Sequence, residues 1–145
     1  MFNIRPFLAL LQTKGVLLCF VFSLIAFGGD WIVVAGSSFK SGSLSQKQIK
    51  DIFLKKKTFI DSQEVIPVNL PASEKGRTIF EDKLLGMERV EIGNYWISQH
   101  YQGITPPLTQ KSQAGVKAFL KNAKGAIGYI EKTQLDGELK VLYEF

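Results

Sequence analysis

A short run without one polar side chain, Trp31-Ile32-Val33-Val34-Ala35, constrains this chain more than any other feature. Ended by Gly36, it reads as a strand buried on both faces. Such a strand needs further layers of structure over it. Gly125-Ala126-Ile127-Gly128-Tyr129-Ile130 reads as a second strand, whose glycines permit close backbone approach. Helical patterns fill the space between. Ser45 and Gln48 are spaced as a capping box, and Ile49, Ile52 and Phe53 follow on one face, which predicts a helix over about 46–54. Ile79, Phe80, Leu84 and Leu85 give the buried face of a second helix that Gly86 can end. Ile92, Tyr95, Trp96 and His100 mark a third, from Glu88 to about Tyr101, stopped by Gly103 and Pro106-Pro107. Val116, Phe119, Leu120 and Ala123 mark the last helix. Thr58-Phe59-Ile60 and Val65-Ile66-Pro67-Val68 flank a polar turn at 61–64 and predict a hairpin or strand pair. Leu139, Val141 and Tyr143 alternate as a terminal strand. The order predicts one α/β layer sandwich, a mixed sheet flanked by helices.

The first 28 residues read as an address. Arg5 and Lys14 precede a charge-free apolar run, Val16 to Phe27. That length suits the core of a secretory signal, ~7–15 residues, better than a membrane span of ~20. Ala26 and Gly28 supply small residues at a cut after Gly28. The alternative is an uncleaved anchor in the inner membrane. Cys19 sits among Leu17, Leu18 and Phe20, so it reads as an apolar residue of this segment and not as a lipid attachment site. The expected domains are therefore a signal over 1–28 and a folded domain over 29–145, in the periplasm.

Composition removes several function classes. The chain has 145 residues, enough for one domain. One Cys and one His exclude disulfide scaffolds, Cys-rich zinc sites and multi-His metal centres. The formal charge is +5, falling to +3 without Arg5 and Lys14. No basic stripe of the kind nucleic-acid binders carry is present. Lys55-Lys56-Lys57 reads as a solvated helix end. His100, on a Trp- and Tyr-rich helix, reads as structural. The carboxylates Glu81, Asp82, Glu88 and Glu91 read as solvated helix faces. No nucleophile elbow or paired-His zinc motif occurs, so no enzyme, metal or cofactor is expected.

The residues Ser73-Glu74-Lys75-Gly76-Arg77-Thr78 open a helix. Free amides at such a start favour an oxyanion. Gly76 would let the backbone approach, Arg77 can grip a phosphate-like group in bidentate fashion, and Ser73 and Thr78 carry hydroxyls. Lys75 adds charge, and Ser37 and Ser38, in the turn after the first strand, are further candidates. On the residues alone, Ser73 is equally a helix N-cap, and Lys75 and Arg77 equally solvated.

Several segments together carry a resemblance. They are Ser43-Leu44-Ser45 with Gln48-Ile49-Lys50-Asp51-Ile52-Phe53-Leu54, then Pro67-Val68-Asn69, Arg77-Thr78-Ile79-Phe80, Leu84-Leu85-Gly86, Tyr95-Trp96, Gly103, Pro106-Pro107 and Gly125-Ala126-Ile127-Gly128-Tyr129-Ile130. In order and spacing they resemble the phosphate-binding component of ABC transporters, in the type 2 periplasmic-binding-protein fold. The resemblance implies a single lobe, similar to the second of the two lobes such proteins close on their ligand. It implies inorganic phosphate or a related oxyanion as ligand. It further implies an ABC transporter permease, or a second subunit replacing the first lobe, as partner. One residue departs from the pattern: aligned on Phe80, Glu74 stands where the family commonly has Ser. A carboxylate there opposes a dianion by about 1 kcal/mol or more. The competing expectation is a non-transport envelope module or sensor accessory that kept the lobe and lost the ligand.

Overall fold

The computed structural model describes residues 30–145. The secretory segment expected over 1–28 lies outside the described residues. Among those described, no helix is long and apolar enough to cross a membrane.

Among the described residues, seven strands and four α-helices follow one another: β1 (Trp31–Gly36), α1 (Gln46–Phe53), β2 (Phe59–Ile60), β3 (Gln63–Glu64), β4 (Ile66–Asn69), α2 (Lys75–Phe80), α3 (Arg89–His100), β5 (Leu108–Thr109), α4 (Gln113–Asn122), β6 (Ala126–Glu131) and β7 (Leu139–Glu144). Five strands form one mixed sheet in the order β5-β4-β6-β1-β7. β4 runs parallel to β5 and β6; β1 runs antiparallel to β6 and β7. This is the predicted mixed sheet flanked by helices. All six residues of β1 are buried, as its composition requires. The two ends of the domain meet: the Trp31 amide donates to the Phe145 carbonyl (3.3 Å), and the Phe145 amide donates to the Trp31 carbonyl (2.9 Å).

The Ser45 hydroxyl caps α1, accepting from the Gln48 amide, and Ile49, Ile52 and Phe53 turn into the core. α2 runs on through a π-helical turn, Glu81–Leu85, to Gly86 in the left-handed conformation. It is pinned by Phe80, which stacks on Tyr129 of β6 at 4.1 Å and packs against Phe53 at 4.6 Å.

Three details differ from the expectation. The hairpin is tighter than a four-residue turn: β2 pairs with β3 across Asp61 and Ser62 alone, both at positive φ (45° and 63°). Two such residues match the twist of the flanking strands. That frees Ile66–Asn69 to join the main sheet. β5, just after Pro106-Pro107, has no pattern of its own and exists through its pairing with β4. The terminal strand does not alternate cleanly. Its register on β1 slips between Val33 and Val34, which pair with Tyr143 and Val141. Leu142, left between them, turns into the core, and Val141 is exposed.

The Tyr129 hydroxyl donates to Asn69 Oδ1 (3.3 Å) and accepts from the Leu70 amide (3.2 Å). Burial pushes this phenol up to about 12, against the opposing pull of the Arg77 charge. A phenol whose folded pKa is raised stabilises the fold fully below its unfolded value, ~10, and loses that contribution as pH rises through the folded value. Stability is therefore expected to fall by up to about 3 kcal/mol between pH 10 and 12. Denaturant melts of the chain and of Tyr129→Phe across that window check this, because the variant should lack the drop.

Candidate functional site

In open α/β sheets, ligand sites collect beyond the carboxyl ends of the parallel strands. Here β4 ends at Asn69 and β6 at Glu131, and the segment Ser73–Thr78 lies just after β4 at that same end. The topology thus carries the candidate segment to the carboxyl-terminal edge of the parallel strands. What its residues do there is more specific than the sequence implies.

Glu74, and not Ser73, is the N-cap of α2. Its backbone is extended and its side chain caps nothing. Its carbonyl accepts from the amides of Arg77 (3.0 Å) and Thr78 (3.4 Å). The amides of Lys75 and Gly76 have no acceptor among the described residues. The Cα of Gly76 packs against the Trp31 ring, from which a Cβ there would sit 2.1 Å. Ser73 and Lys75 are exposed. Lys75 forms no ion pair among the described residues. It edges a hollow of about 480 Å³ shared with Asp30, Trp31, Glu131, Lys132 and Thr133.

Arg77 is committed to the fold. It donates through Nη1 to the Leu70 carbonyl (3.0 Å) and through Nε to the Glu81 carboxylate. Arg89, from α3, reaches the other oxygen of Glu81 (2.9 Å), the Ala72 carbonyl (2.7 Å) and the Thr78 hydroxyl (3.3 Å). Glu81 is therefore no solvated carboxylate; its side chain is 5% exposed and held between two guanidinium groups. Asp82, Glu88 and Glu91 are exposed, as their positions imply, and Glu88 with Glu91 caps α3. The Arg77–Glu81–Arg89 cluster ties the loop 70–72 to α2 and α3. Arg77 and Glu81 stand at the i, i+4 spacing of a helical ion pair, a signal present in the sequence. Arg89 carries no such signal, because it arrives through the tertiary fold.

Ser37 and Ser38 are not brought to this site. Lys75 lies beside Trp31 at the start of β1, whereas the two serines follow Gly36 at its end, about 20 Å away at ~3.3 Å per residue. They face Lys121 and Glu138 across a hollow of about 210 Å³. Lys121 is already engaged by Asp136 and Glu138. Hydrogen bonds from Lys117 and Lys121 hold the Asp136 carboxyl down to about 2. His100 is exposed and lies away from both hollows.

No family model matches this chain, and no curated protein matches it. Solved structures do. The fold is similar to an ABC-type phosphate transport receptor from Vibrio cholerae, with a TM-score of 0.65 and 20% identity over 78% of this chain and 45% of that one. It is similar to a protein from Clostridium perfringens described as a phosphate ABC transporter substrate-binding protein with bound phosphate. There the TM-score is 0.64 and the identity 17%, over 78% of this chain and 44% of that one. It is also similar to PstS from Borrelia burgdorferi, with a TM-score of 0.59 and 15% identity, over 78% and 46%. At these identities the likeness is one of fold. The chain has the fold of a periplasmic-binding-protein-like lobe and spans less than half the length of each of these receptors.

Proposed function

We propose that this chain is a periplasmic solute-binding-like protein, secreted by its first 28 residues, that takes phosphate or a related oxyanion as part of phosphate uptake. It acts by binding, without catalysis. The observation that carries this reading is the likeness in fold to phosphate transport receptors, one of them with phosphate bound. The anion would sit at the start of α2, on the unbonded amides of Lys75 and Gly76, with the Lys75 ammonium and the hydroxyls of Ser73 and Thr78 beside it. Arg77 would frame the segment from below, its guanidinium already shared with Glu81 and Leu70. The facing half of the site would come from an ABC transporter permease or a second subunit.

An open half-site whose cation, Lys75, forms no ion pair among the described residues, and with Glu74 exposed beside it, binds weakly; a Kd of about 1 mM is expected, which corresponds to about −4 kcal/mol. At 20-fold excess over that Kd, phosphate should stabilise the chain by about 1.8 kcal/mol and raise Tm by about 5 °C. Thermal melts in phosphate against chloride of equal ionic strength test this. Lys75→Gln should remove most of the rise and leave the Tm in chloride unchanged, because the side chain is exposed. Arg77→Ala is no ligand probe here, since it also strips Glu81 of a partner. A rise equal in both salts, or one that Lys75→Gln leaves intact, would sink the oxyanion reading.

A further inference from the structure

At the end of the sheet where β4 and β6 begin, the domain has another polar hollow, of about 280 Å³, edged by Lys40, Ser62, Gln63, Glu64 and Lys124. The length of β6, six residues and about 20 Å, separates it from Lys75 and the start of α2. Gln63 is the one buried residue of the five, 6% exposed. Its stem lies over Gly125, whose Cβ would come within 3.8 Å of Gln63 Cγ. Its Oε1 accepts from the Lys40 amide (2.9 Å). That bond fixes which way the carboxamide points, because the flipped group would set donor against donor. Nε2 is therefore a buried donor, and it has no acceptor among the described residues. Buried donors are nearly always bonded, so this one calls for a partner. The charge around it is unspent. Neither Lys40 nor Lys124 forms an ion pair among the described residues, although both share the hollow with Glu64.

We propose that this hollow seats a carboxylate, one oxygen accepting from Gln63 Nε2 while the group lies between the Lys40 and Lys124 ammoniums. The Ser62 hydroxyl is a further donor at its edge. An ionised carboxylate only accepts, and the amide and the two ammoniums only donate, so the two sides match. The cost of taking an anion out of water rises with the square of its charge. A singly charged carboxylate thus reaches a buried amide more readily than a doubly charged phosphate or sulfate. Glu64 at the rim acts in the same direction, since two cations against one carboxylate leave room for one negative charge. A small free acid and the C-terminus of a peptide present the same group. The site shares no residue with the segment Ser73–Thr78 and stands apart from the oxyanion reading.

NMR of the isotope-labelled full chain in mild detergent tests this at neutral pH. The side-chain amide pair of Gln63 is identified by its loss in Gln63→Glu, a variant that keeps an acceptor for the Lys40 amide and removes the donor. Sodium acetate should move that pair saturably, with a midpoint of about 10 mM, where sodium chloride of equal ionic strength does not. Lys40→Gln and Lys124→Gln should each weaken the titration about five-fold, the effect of one exposed ion pair, and leave the fold intact because both side chains are exposed. Lys75→Gln should leave it unchanged. Triglycine with a free C-terminus separates the two sources: tighter binding than acetate assigns a chain end, equal binding a small acid. Amidated triglycine should not bind. Equal movement in chloride overturns the proposal, as does no movement in either salt, which leaves the amide to water. So does a titration that neither lysine variant weakens, sulfate binding more tightly than acetate, or binding of the amidated peptide.

Discussion

Replacing Glu81 with Ala is expected to lower the unfolding free energy by about 3–5 kcal/mol, the usual cost of breaking a buried ion pair from one side. The magnitude follows from what remains. Arg77, itself mostly buried, keeps one carbonyl partner and loses its counter-charge. Arg89, about half exposed, can turn toward water and contributes less. The variant should also loosen the loop 70–72, because Leu70 and Ala72 accept from those two guanidinium groups. Denaturant unfolding, with hydrogen exchange at residues 70–78, reads both effects. Arg89→Ala is the internal comparison and should cost no more than about 1 kcal/mol. A loss below 1 kcal/mol for Glu81→Ala would mean that the cluster is a surface contact and that Arg77 is free for a ligand.

Gly125→Ala should cost about 3 kcal/mol. Gly125 has φ of +83°, where a side chain is strained by about 1–2 kcal/mol. A Cβ would also stand 2.1 Å from the backbone carbonyl oxygen of Glu64. That oxygen cannot swing aside as a side chain would. It lies next to β4, whose first residue, Ile66, donates its amide to the Gly125 carbonyl at 2.9 Å. Relief therefore requires moving the entry to β4, and overpacking of this kind adds about 1–3 kcal/mol. Thermal melting of the variant, with Gly137→Ala as a control at an open position, checks the prediction.

Elements that declare themselves in composition were legible from the residues alone. β1 and β6 are apolar because both their faces are covered, and the Ser45–Gln48 box fixes the start of α1 through local bonds. Elements defined by a partner were not. β5 is two residues long and exists through its pairing with β4. The inward turn of Leu142 depends on a register slip opposite Val33 and Val34, far away in the chain. The candidate segment shows the same division. Its place at the edge of the sheet follows from a helix succeeding a strand. The i, i+4 spacing of Arg77 and Glu81 was readable, whereas the burial of Glu81 and the reach of Arg89 back from α3 leave no trace in local sequence. Gly76 was legible as a place of close approach, yet what approaches is the Trp31 ring.

The meeting of Trp31 with Phe145 bears on how the molecule is made. β1 is the first of the seven strands in chain order, and both of its neighbours in the sheet, β6 and β7, are the last two. Until they are made β1 is a bare apolar ribbon with no partner in reach. Pairing across more than ninety residues slows folding, since a long loop must close before any contact rewards it. The sheet therefore completes only once β6 and β7 have both been made. Any holding factor that shields it needs to cover one short stretch, Trp31 to Ala35.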